Sequence, residues 1–283
     1  MKQFAGPVRL YGGKMSRSKR IGFIGCGSMG SAMLKGILKA HIVDPDEVIV
    51  SCKSEETGKR IRETFAADVT HDNKNVAEES DMLFIAVKPY QFPEIASEIK
   101  EVLSEDQIII SVIAGMSVDA LQEKLGSAHL QIMRAMPNTP AAVGEAMTAL
   151  VPGSFMTEQN IAYTKRIFES FGRAEIVPEN LMDTVTGVSG SSPAYIYMLI
   201  EAMADEAVKQ GMTRKSAYIF AAQTVLGSAK MVLETGMHPG ELKDAVTSPG
   251  GTTIEGLSVL EDGGFRGLVM EGIDAAIEKS RSM

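Results

Sequence analysis

Small hydroxyl side chains surround a Pro-Gly-Gly turn near the C-terminus of this 283-residue chain. Thr247 and Ser248 precede the turn, and Thr252 and Thr253 follow it where a helical pattern begins. The first N–H groups of a helix have no partner within the helix and lie at the positive end of its dipole. Hydroxyls and free N–H groups together therefore predict a site for a small anion such as a carboxylate.

A glycine-rich turn near the other end of the chain forms a second candidate site. Gly25, Gly27 and Gly30 directly follow an apolar strand pattern and directly open a helical one. The first glycine allows the tight bend, the second lets a pyrophosphate approach the backbone, and the third lets helix and strand pack closely. Although the spacing alone also fits a structural turn, its position between strand and helix predicts a dinucleotide site.

The residues after the second strand indicate which dinucleotide binds. NAD enzymes place an Asp or Glu there, about 20 residues beyond the glycines, on the ribose 2′-hydroxyl. This chain has Ser51, Lys53 and Ser54 instead, which suit a 2′-phosphate, so we predict NADPH, with NADH as the alternative cofactor. Glu55 and Glu56 follow at once and oppose this prediction, unless as first-turn residues they only face the helix N-terminus.

Two more strand ends are predicted at the same edge of a parallel sheet, where open α/β sheets bind ligands. Ala86-Val87-Lys88-Pro89 ends one strand, and Ile113-Ala114-Gly115 ends the next. Proline fixes the exit of the chain after Lys88, and Gly115 permits close approach of a nicotinamide. We predict that Lys88 contacts the cofactor; the alternative is a solvated loop lysine.

Apolar runs and amphipathic helical patterns alternate in the first part of the chain, which is typical of a doubly wound, mostly parallel sheet. The predicted strands are 21–24, 48–50, 82–87, 108–112 and 130–134, with a helix at 93–103. Later the strand pattern disappears, and helices are predicted at 194–210, 214–234, 239–246 and from 253 onward. We predict a basic flexible extension at 1–19, an α/β Rossmann domain at 20–178 and an all-helical C-terminal dimerisation domain at 179–283.

The helical patterns at 195–207 and 218–231 are apolar on more than one face. A helix that is apolar all round has to be buried. Because a domain of this size has a limited interior, we predict that these helices form a homodimer interface. The alternative is a thick core within one monomer.

The composition favours an enzyme of small metabolites. The net charge is −8 and no basic cluster lies beyond residue 20, which argues against a nucleic-acid partner. Cys26 and Cys52 fit neither a disulfide framework nor a zinc site, so we expect a cytoplasmic protein. No apolar run reaches the roughly 20 residues of a membrane span, and the four scattered histidines suggest no metal site.

Five motifs occur in the order typical of the pyrroline-5-carboxylate reductase family, which the chain closely resembles from Arg20 onward. The motifs are Ile24-Gly25-Cys26-Gly27-Ser28-Met29-Gly30, Ala86-Val87-Lys88-Pro89, Arg134-Ala135-Met136-Pro137-Asn138-Thr139-Pro140, Gly187-Val188-Ser189-Gly190-Ser191-Ser192-Pro193-Ala194-Tyr195, and the segment from Thr247 to Leu260.

That resemblance implies NADPH-dependent reduction of the C=N bond of 1-pyrroline-5-carboxylate to L-proline, the last step of proline biosynthesis. It implies a homodimer, five of which form a decamer in some members. It places Asn73 in a loop before the fourth strand. The implied cofactor contacts are Ile24, Gly25, Cys26, Gly27, Ser28, Met29, Ser51, Asn73, Ala86, Val87, Lys88, Pro89, Val112, Ile113 and Ala114. The implied substrate contacts are Ser248, Gly251, Thr252 and Thr253, with Glu179 as a further candidate.

For this reaction we assign a catalytic position to Thr253. Its Oγ would hydrogen-bond the ring nitrogen, while Ser248 and the N–H groups that follow the turn hold the carboxylate. A hydroxyl with an ordinary pKa is a poor general acid, so we expect positioning to matter more than proton donation. The nicotinamide is expected near Ala114, Gly115, Pro137 and Asn138.

Two other functions share the predicted layout. A β-hydroxyacid dehydrogenase would need a lysine base one turn after a glycine-rich helix start in the second domain, where this chain has Tyr195 and Tyr197. A non-catalytic NADPH-binding protein would keep the nucleotide site and show no turnover.

Overall fold

A computed structural model describes residues 20–282 of the chain. The predicted extension at 1–19 lies outside the described residues, as does Met283. The described chain divides between Gly190 and Ser191 into two compact units.

The first unit is built on one eight-stranded sheet with the order β3-β2-β1-β4-β5-β6-β7-β8. Strand β7 runs antiparallel to β6, and all other neighbours are parallel. The strands are β1 Ile21–Ile24, β2 Val48–Ser51, β3 Asp68–Thr70, β4 Met82–Ile85, β5 Ile108–Ser111, β6 Gln131–Met136, β7 Ala146–Pro152 and β8 Gly172–Ile176.

Seven α-helices connect these strands or follow them. They are α1 Ser28–Lys39, α2 Glu55–Phe65, α3 Asn73–Glu79, α4 Phe92–Ile99, α5 Val118–Leu125, α6 Glu158–Glu169 and α7 Met182–Val185. Short 3-10 helices lie at Pro45–Glu47, Pro89–Gln91, Thr139–Val143 and Glu179–Leu181, and a π-helical turn at Thr186–Ser191 follows α7.

The central strands are buried on both faces, as expected for a parallel sheet covered by helices. Every residue of β1, β2, β4 and β5 is buried. On one face Phe23 and Phe84 stack with ring centroids 4.6 Å apart, and Phe168 and Phe171 of the α6–β8 region extend this cluster. On the other face isoleucines of the strands pack against α4 and α5. The doubly wound sheet predicted from the sequence is confirmed.

Three strands were not predicted, and their sequences explain why. β3 has three residues and is partly exposed, and β8 exposes three of its five residues. β7 pairs with β6 in the antiparallel direction, which an alternating strand–helix pattern does not indicate. Strand β4 also ends at Ile85, before the predicted end at 87.

The second unit consists of five helices. They are α8 Ser192–Lys209, α9 Arg214–Thr235, α10 Pro239–Ala245, α11 Thr252–Asp262 and α12 Phe265–Arg281. Gly236 ends α9 in the left-handed conformation, with φ of 68°. The helix predicted from 253 onward is two helices, separated at Gly263-Gly264.

The helical unit has almost no core of its own. Its buried hydrophobic residues among those described are Ala204, Ala217 and Ala221. Large apolar side chains remain exposed instead, among them Met198 at 68% and Phe220 at 65%. This excludes the thick monomer core and leaves an apolar surface that oligomerisation covers. Within residues 20–282, no helix is both long and apolar enough to span a membrane.

Candidate active site

The glycine turn between β1 and α1 has the geometry of a dinucleotide-binding loop. Gly25 has φ of 83°, and a Cβ there would lie 2.6 Å from Val87 Cγ1. A Cβ on Gly30 would lie 2.9 Å from the Gly25 carbonyl oxygen, so helix and strand pack too closely for a side chain. A Cβ on Gly27 would meet nothing within 4 Å. The backbone at Gly27 is therefore open to a bound group, as a pyrophosphate requires.

The N-terminus of α1 has the features of an anion-binding site. Gly27 is the N-cap and offers no side-chain cap, and the first turn contains no acidic residue. Ser28 and Met29 are the first two helical residues, so their N–H groups have no acceptor within the helix. Ile24 is buried in the core, which leaves only its backbone to a ligand, and Cys26 is buried beside Ser31. Burial raises the pKa of the Cys26 thiol.

A chain of hydrogen bonds runs from the end of β2 to α4. The Ser51 hydroxyl donates to Asn73 Oδ1 at 2.6 Å, and Asn73 Nδ2 donates to Glu98 Oε2 at 2.6 Å. The expected loop position of Asn73 is wrong, because Asp72 accepts hydrogen bonds from Lys74 and Asn75 N–H and starts α3 at Asn73. Glu98 fixes the orientation of the Asn73 amide and was not identified from the sequence.

One of the two acidic residues that opposed the NADPH prediction, Glu55, is engaged elsewhere. Glu55 Oε1 accepts a hydrogen bond from Arg62 Nη1 at 2.9 Å, and Glu55 Oε2 lies 2.9 Å from His71 Nε2. These hydrogen bonds, first that of His71 and then that of Arg62, lower the pKa of Glu55. Lys53 is exposed and forms no ion pair within the described part of the chain, and neither does Glu56.

The other predicted cofactor residues lie at the carboxyl edge of the sheet. Ala86, Val87, Lys88 and Pro89 follow β4, and Val112, Ile113, Ala114 and Gly115 follow β5. Gly115 has φ of 71° and open space around its Cα. Pro137 and Asn138 follow β6, but the Asn138 amide accepts from Met147 N–H and donates to the Ser189 carbonyl. The polar atoms of Asn138 therefore hold the local backbone together.

Glu179 is held by two hydrogen bonds within the first unit. Its Oε1 accepts hydrogen bonds from the Val118 N–H at the start of α5 and from Arg134 Nη1, both at 2.9 Å. The Arg134 side chain is 13% exposed and that of Glu179 is 34% exposed, so this ion pair is partly shielded from water. In the sequence, Arg134 is only the first residue of one of the five motifs, and nothing there indicates that it pairs with Glu179.

The predicted carboxylate site is an uncapped helix start in the second unit. Gly250 has φ of 66°, and Gly251 is the N-cap of α11 without a side-chain cap. A side chain on Gly251 would collide with the Ser248 hydroxyl. The hydroxyls of Ser248, Thr252 and Thr253 form no hydrogen bond within the described structure, unlike that of Thr247, which donates to the Lys243 carbonyl at 2.6 Å. Three hydroxyls and free helix N–H groups thus lie together.

The fold and the glycine loop define a Rossmann-type nucleotide-dependent oxidoreductase with a helical oligomerisation unit. Residues 179–283 match the family profile described as pyrroline-5-carboxylate reductase dimerisation. Residues 20–115 match the profile described as NADP oxidoreductase, coenzyme F420-dependent.

Similarity to known proteins extends over nearly the whole chain. Pyrroline-5-carboxylate reductase of Escherichia coli (strain K12) is 47% identical over 94% of this chain and 98% of that protein. The structure of a pyrroline-5-carboxylate reductase from Coxiella burnetii matches with a TM-score of 0.88 and 32% identity over 94% of this chain and 98% of that one. The NADP-bound pyrroline carboxylate reductase of Plasmodium falciparum matches with a TM-score of 0.83 and 32% identity, covering 93% and 97%.

The chain belongs to the pyrroline-5-carboxylate reductase family. It is an NAD(P)H-dependent oxidoreductase that reduces 1-pyrroline-5-carboxylate to L-proline, the last step of proline biosynthesis. This confirms the function inferred from the resemblance, over a β-hydroxyacid dehydrogenase and over a non-catalytic NADPH-binding protein. The helical unit buries few large apolar side chains, and the dimerisation profile covers it, so the protein oligomerises.

Proposed function

We propose that the segment from Ser248 to Thr253 holds the substrate during this reduction. When bound, the reduced nicotinamide supplies a hydride for the imine carbon. The uncapped N–H groups of α11 at Thr252 and Thr253, together with the Ser248 hydroxyl, hold the substrate carboxylate. The Gly251 N–H donates to the Ser248 carbonyl at 3.1 Å and so shapes the turn against which the carboxylate lies. The observation that carries this assignment is that no side chain of the described structure occupies these donors.

Thr253 orients the ring nitrogen through its Oγ. This hydroxyl has no hydrogen-bond partner in residues 20–282 and belongs to the first turn of α11, beside the carboxylate donors. An ordinary hydroxyl does not give up its proton at neutral pH, so Thr253 positions the nitrogen and relays a proton that solvent provides. Glu179 keeps its Oε2 free of hydrogen bonds in the described structure, and this atom is the one that we assign to the further substrate contact.

The test is to replace Thr253 by alanine and by serine. Loss of a positioned donor costs about 10- to 1000-fold in turnover, so Thr253→Ala should lose this much in kcat/KM for pyrroline-5-carboxylate. Thr253→Ser keeps the hydroxyl and should recover most of the activity, while the dissociation constant of NADPH stays the same in both variants. Full activity of Thr253→Ala would overturn the assignment.

NADPH is the preferred cofactor in this proposal. Lys53 offers an unpaired ammonium after β2, and Glu55 is held by Arg62 and His71. The nearby hydroxyls of Ser51 and Ser54 donate to Asn73 and Thr57, and each can still accept a hydrogen bond. The NADP bound to the Plasmodium falciparum relative supports this preference. The residues proposed to contact the cofactor are those predicted from the sequence, from Ile24 to Asn138. A kcat/KM that is higher with NADH than with NADPH would contradict the preference.

The assembly and the location also belong to the proposal. We infer a homodimer built by the domain at 179–283, where the dimerisation profile begins, with a decamer of five such dimers as the alternative assembly. Light scattering after size-exclusion chromatography distinguishes the mass of a dimer from that of a decamer. The two buried free cysteines support a reducing, cytoplasmic environment.

A further inference from the structure

Arg60 is a cation on α2 that reaches the glycine loop. Its Nη2 donates a hydrogen bond to the Cys26 carbonyl oxygen at 3.1 Å, 34 residues away in sequence. Cys26 lies between Gly25 and Gly27, at the place where the pyrophosphate is expected. Arg60 is exposed, but this hydrogen bond ties its side chain to the glycine loop.

The charge of Arg60 is not neutralised by any carboxylate in the described structure. Its neighbours on the same helix are paired: Lys59 Nζ lies 3.8 Å from Glu63 Oε1, and Arg62 Nη1 lies 2.9 Å from Glu55 Oε1. The sequence places Glu56 one turn before Arg60, so an ordinary surface pair was equally consistent with it. The structure shows instead that Arg60 contacts a backbone carbonyl of the glycine loop.

A second observation places this charge near the end of β2. The pKa values of Cys26 and Cys52 are both raised, chiefly by burial, and the positive charge of Arg60 acts against the rise at both thiols. Cys52 directly follows the last residue of β2 and precedes Lys53. The guanidinium is thus close to both loops that border the adenosine ribose in a Rossmann domain.

We propose that Arg60 binds the 2′-phosphate of NADPH and is a specificity-determining residue of this enzyme. A guanidinium carries five N–H donors in a planar fork that matches the oxygens of a phosphate. The bond to the Cys26 carbonyl uses part of this fork, restricts the side chain before the cofactor arrives and so reduces the entropy lost on binding. Because Arg62 and His71 hold both oxygens of Glu55, that carboxylate does not compete for Arg60.

This inference rests on the proposed preference for NADPH and adds the residue that produces it. Lys53 was the predicted cation for the 2′-phosphate, but its ammonium has no contact that fixes it in the described structure. Arg60 has such a contact, so its removal should cost more affinity for the phosphate than the removal of Lys53.

The test is calorimetric binding to Arg60→Gln, with Lys59→Gln as the control that removes the neighbouring positive charge. Charge-assisted hydrogen bonds to phosphate justify an expected loss of about 10- to 100-fold in affinity for NADP⁺. NAD⁺ carries an uncharged 2′-hydroxyl where NADP⁺ carries the phosphate. Its affinity should change less than about threefold in the same variant, because a hydrogen bond to a neutral group contributes less than one to a charged group. Lys59→Gln should bind both cofactors like the wild type.

Adenosine 2′,5′-bisphosphate and adenosine 5′-monophosphate separate this inference from the proposed function, because their binding needs no turnover. Arg60→Gln should weaken only the bisphosphate, and Arg60→Lys, which keeps a charge without the fork, should give an intermediate value. Arg60→Lys also serves if Arg60→Gln does not fold. An equal loss for NADP⁺ and NAD⁺ would show that Arg60 acts on the pyrophosphate or on the loop, and an unchanged NADP⁺ affinity would show no role; either result overturns the proposal.

Discussion

Replacing Gly27 by alanine tests the nucleotide loop independently of folding. Gly27 has φ of −73° and ψ of −156°, a conformation that alanine adopts, and its added Cβ would meet nothing within 4 Å. Alanine is a poorer N-cap than glycine, so we expect a loss of about 0.5–1 kcal/mol in the free energy of unfolding. The new methyl group would occupy the space expected for the pyrophosphate. Affinity for NADPH should fall at least about tenfold, which corresponds to roughly 1.4 kcal/mol.

Gly25→Ala is the matched variant, because it adds the same methyl group to the same loop but should mainly lower the free energy of unfolding. The φ of 83° costs about 1–2 kcal/mol for a residue with a Cβ, and the collision with Val87 and the Ala86 carbonyl adds about 1–3 kcal/mol. Denaturant unfolding and NADPH titration of both variants are the assays. The reasoning is refuted if Gly27→Ala binds NADPH like the wild type, or if it is as unstable as Gly25→Ala.

Three further predictions concern packing, pH and assembly. Gly36→Ala places a methyl group 2.8 Å from the ring of Phe171, so unfolding should show about 1–3 kcal/mol of destabilisation; wild-type stability contradicts this. Hydrogen bonds to the Cys52 carbonyl and, second, to Glu55 raise the pKa of His71 in the folded protein. The stabilisation from His71 is therefore complete below its pKa in the unfolded chain and is lost as the pH rises through its pKa in the folded protein. An NMR titration that gives a lowered pKa for His71 would contradict this. Phe220→Glu should dissociate the oligomer because Phe220 is 65% exposed in one chain; an unchanged mass by light scattering excludes Phe220 from the interface.

The fold was predictable where burial leaves a strong pattern. The strands β1, β2, β4 and β5 are almost entirely apolar because both of their faces are covered. Strands β3 and β8 were not predicted because they lie at the two edges of the sheet, where β3 has no buried residue and β8 has only one. Their sequences carry little hydrophobic signal, and pairing in the sheet selects their conformation.

The candidate site was predictable from motifs, but its electrostatics were not. The sequence identified the glycine loop and the hydroxyl-lined turn because residue types and order define both. It did not show that Glu55 is held by Arg62 and His71, or that Arg60 contacts the Cys26 carbonyl. Charged side chains on an exposed helix have several partners within reach, and only the packed loops around α2 select among them.

The measurement that tests the account most directly is a turnover experiment with both products quantified. The purified oligomer is mixed with NADPH and synthetic pyrroline-5-carboxylate, and the loss of nicotinamide absorbance is compared with the proline formed. The account predicts equal amounts of NADP⁺ and L-proline, faster with NADPH than with NADH, and a strong loss of rate for Thr253→Ala with unchanged cofactor binding. Oxidation of neither cofactor, or oxidation without proline, would contradict it.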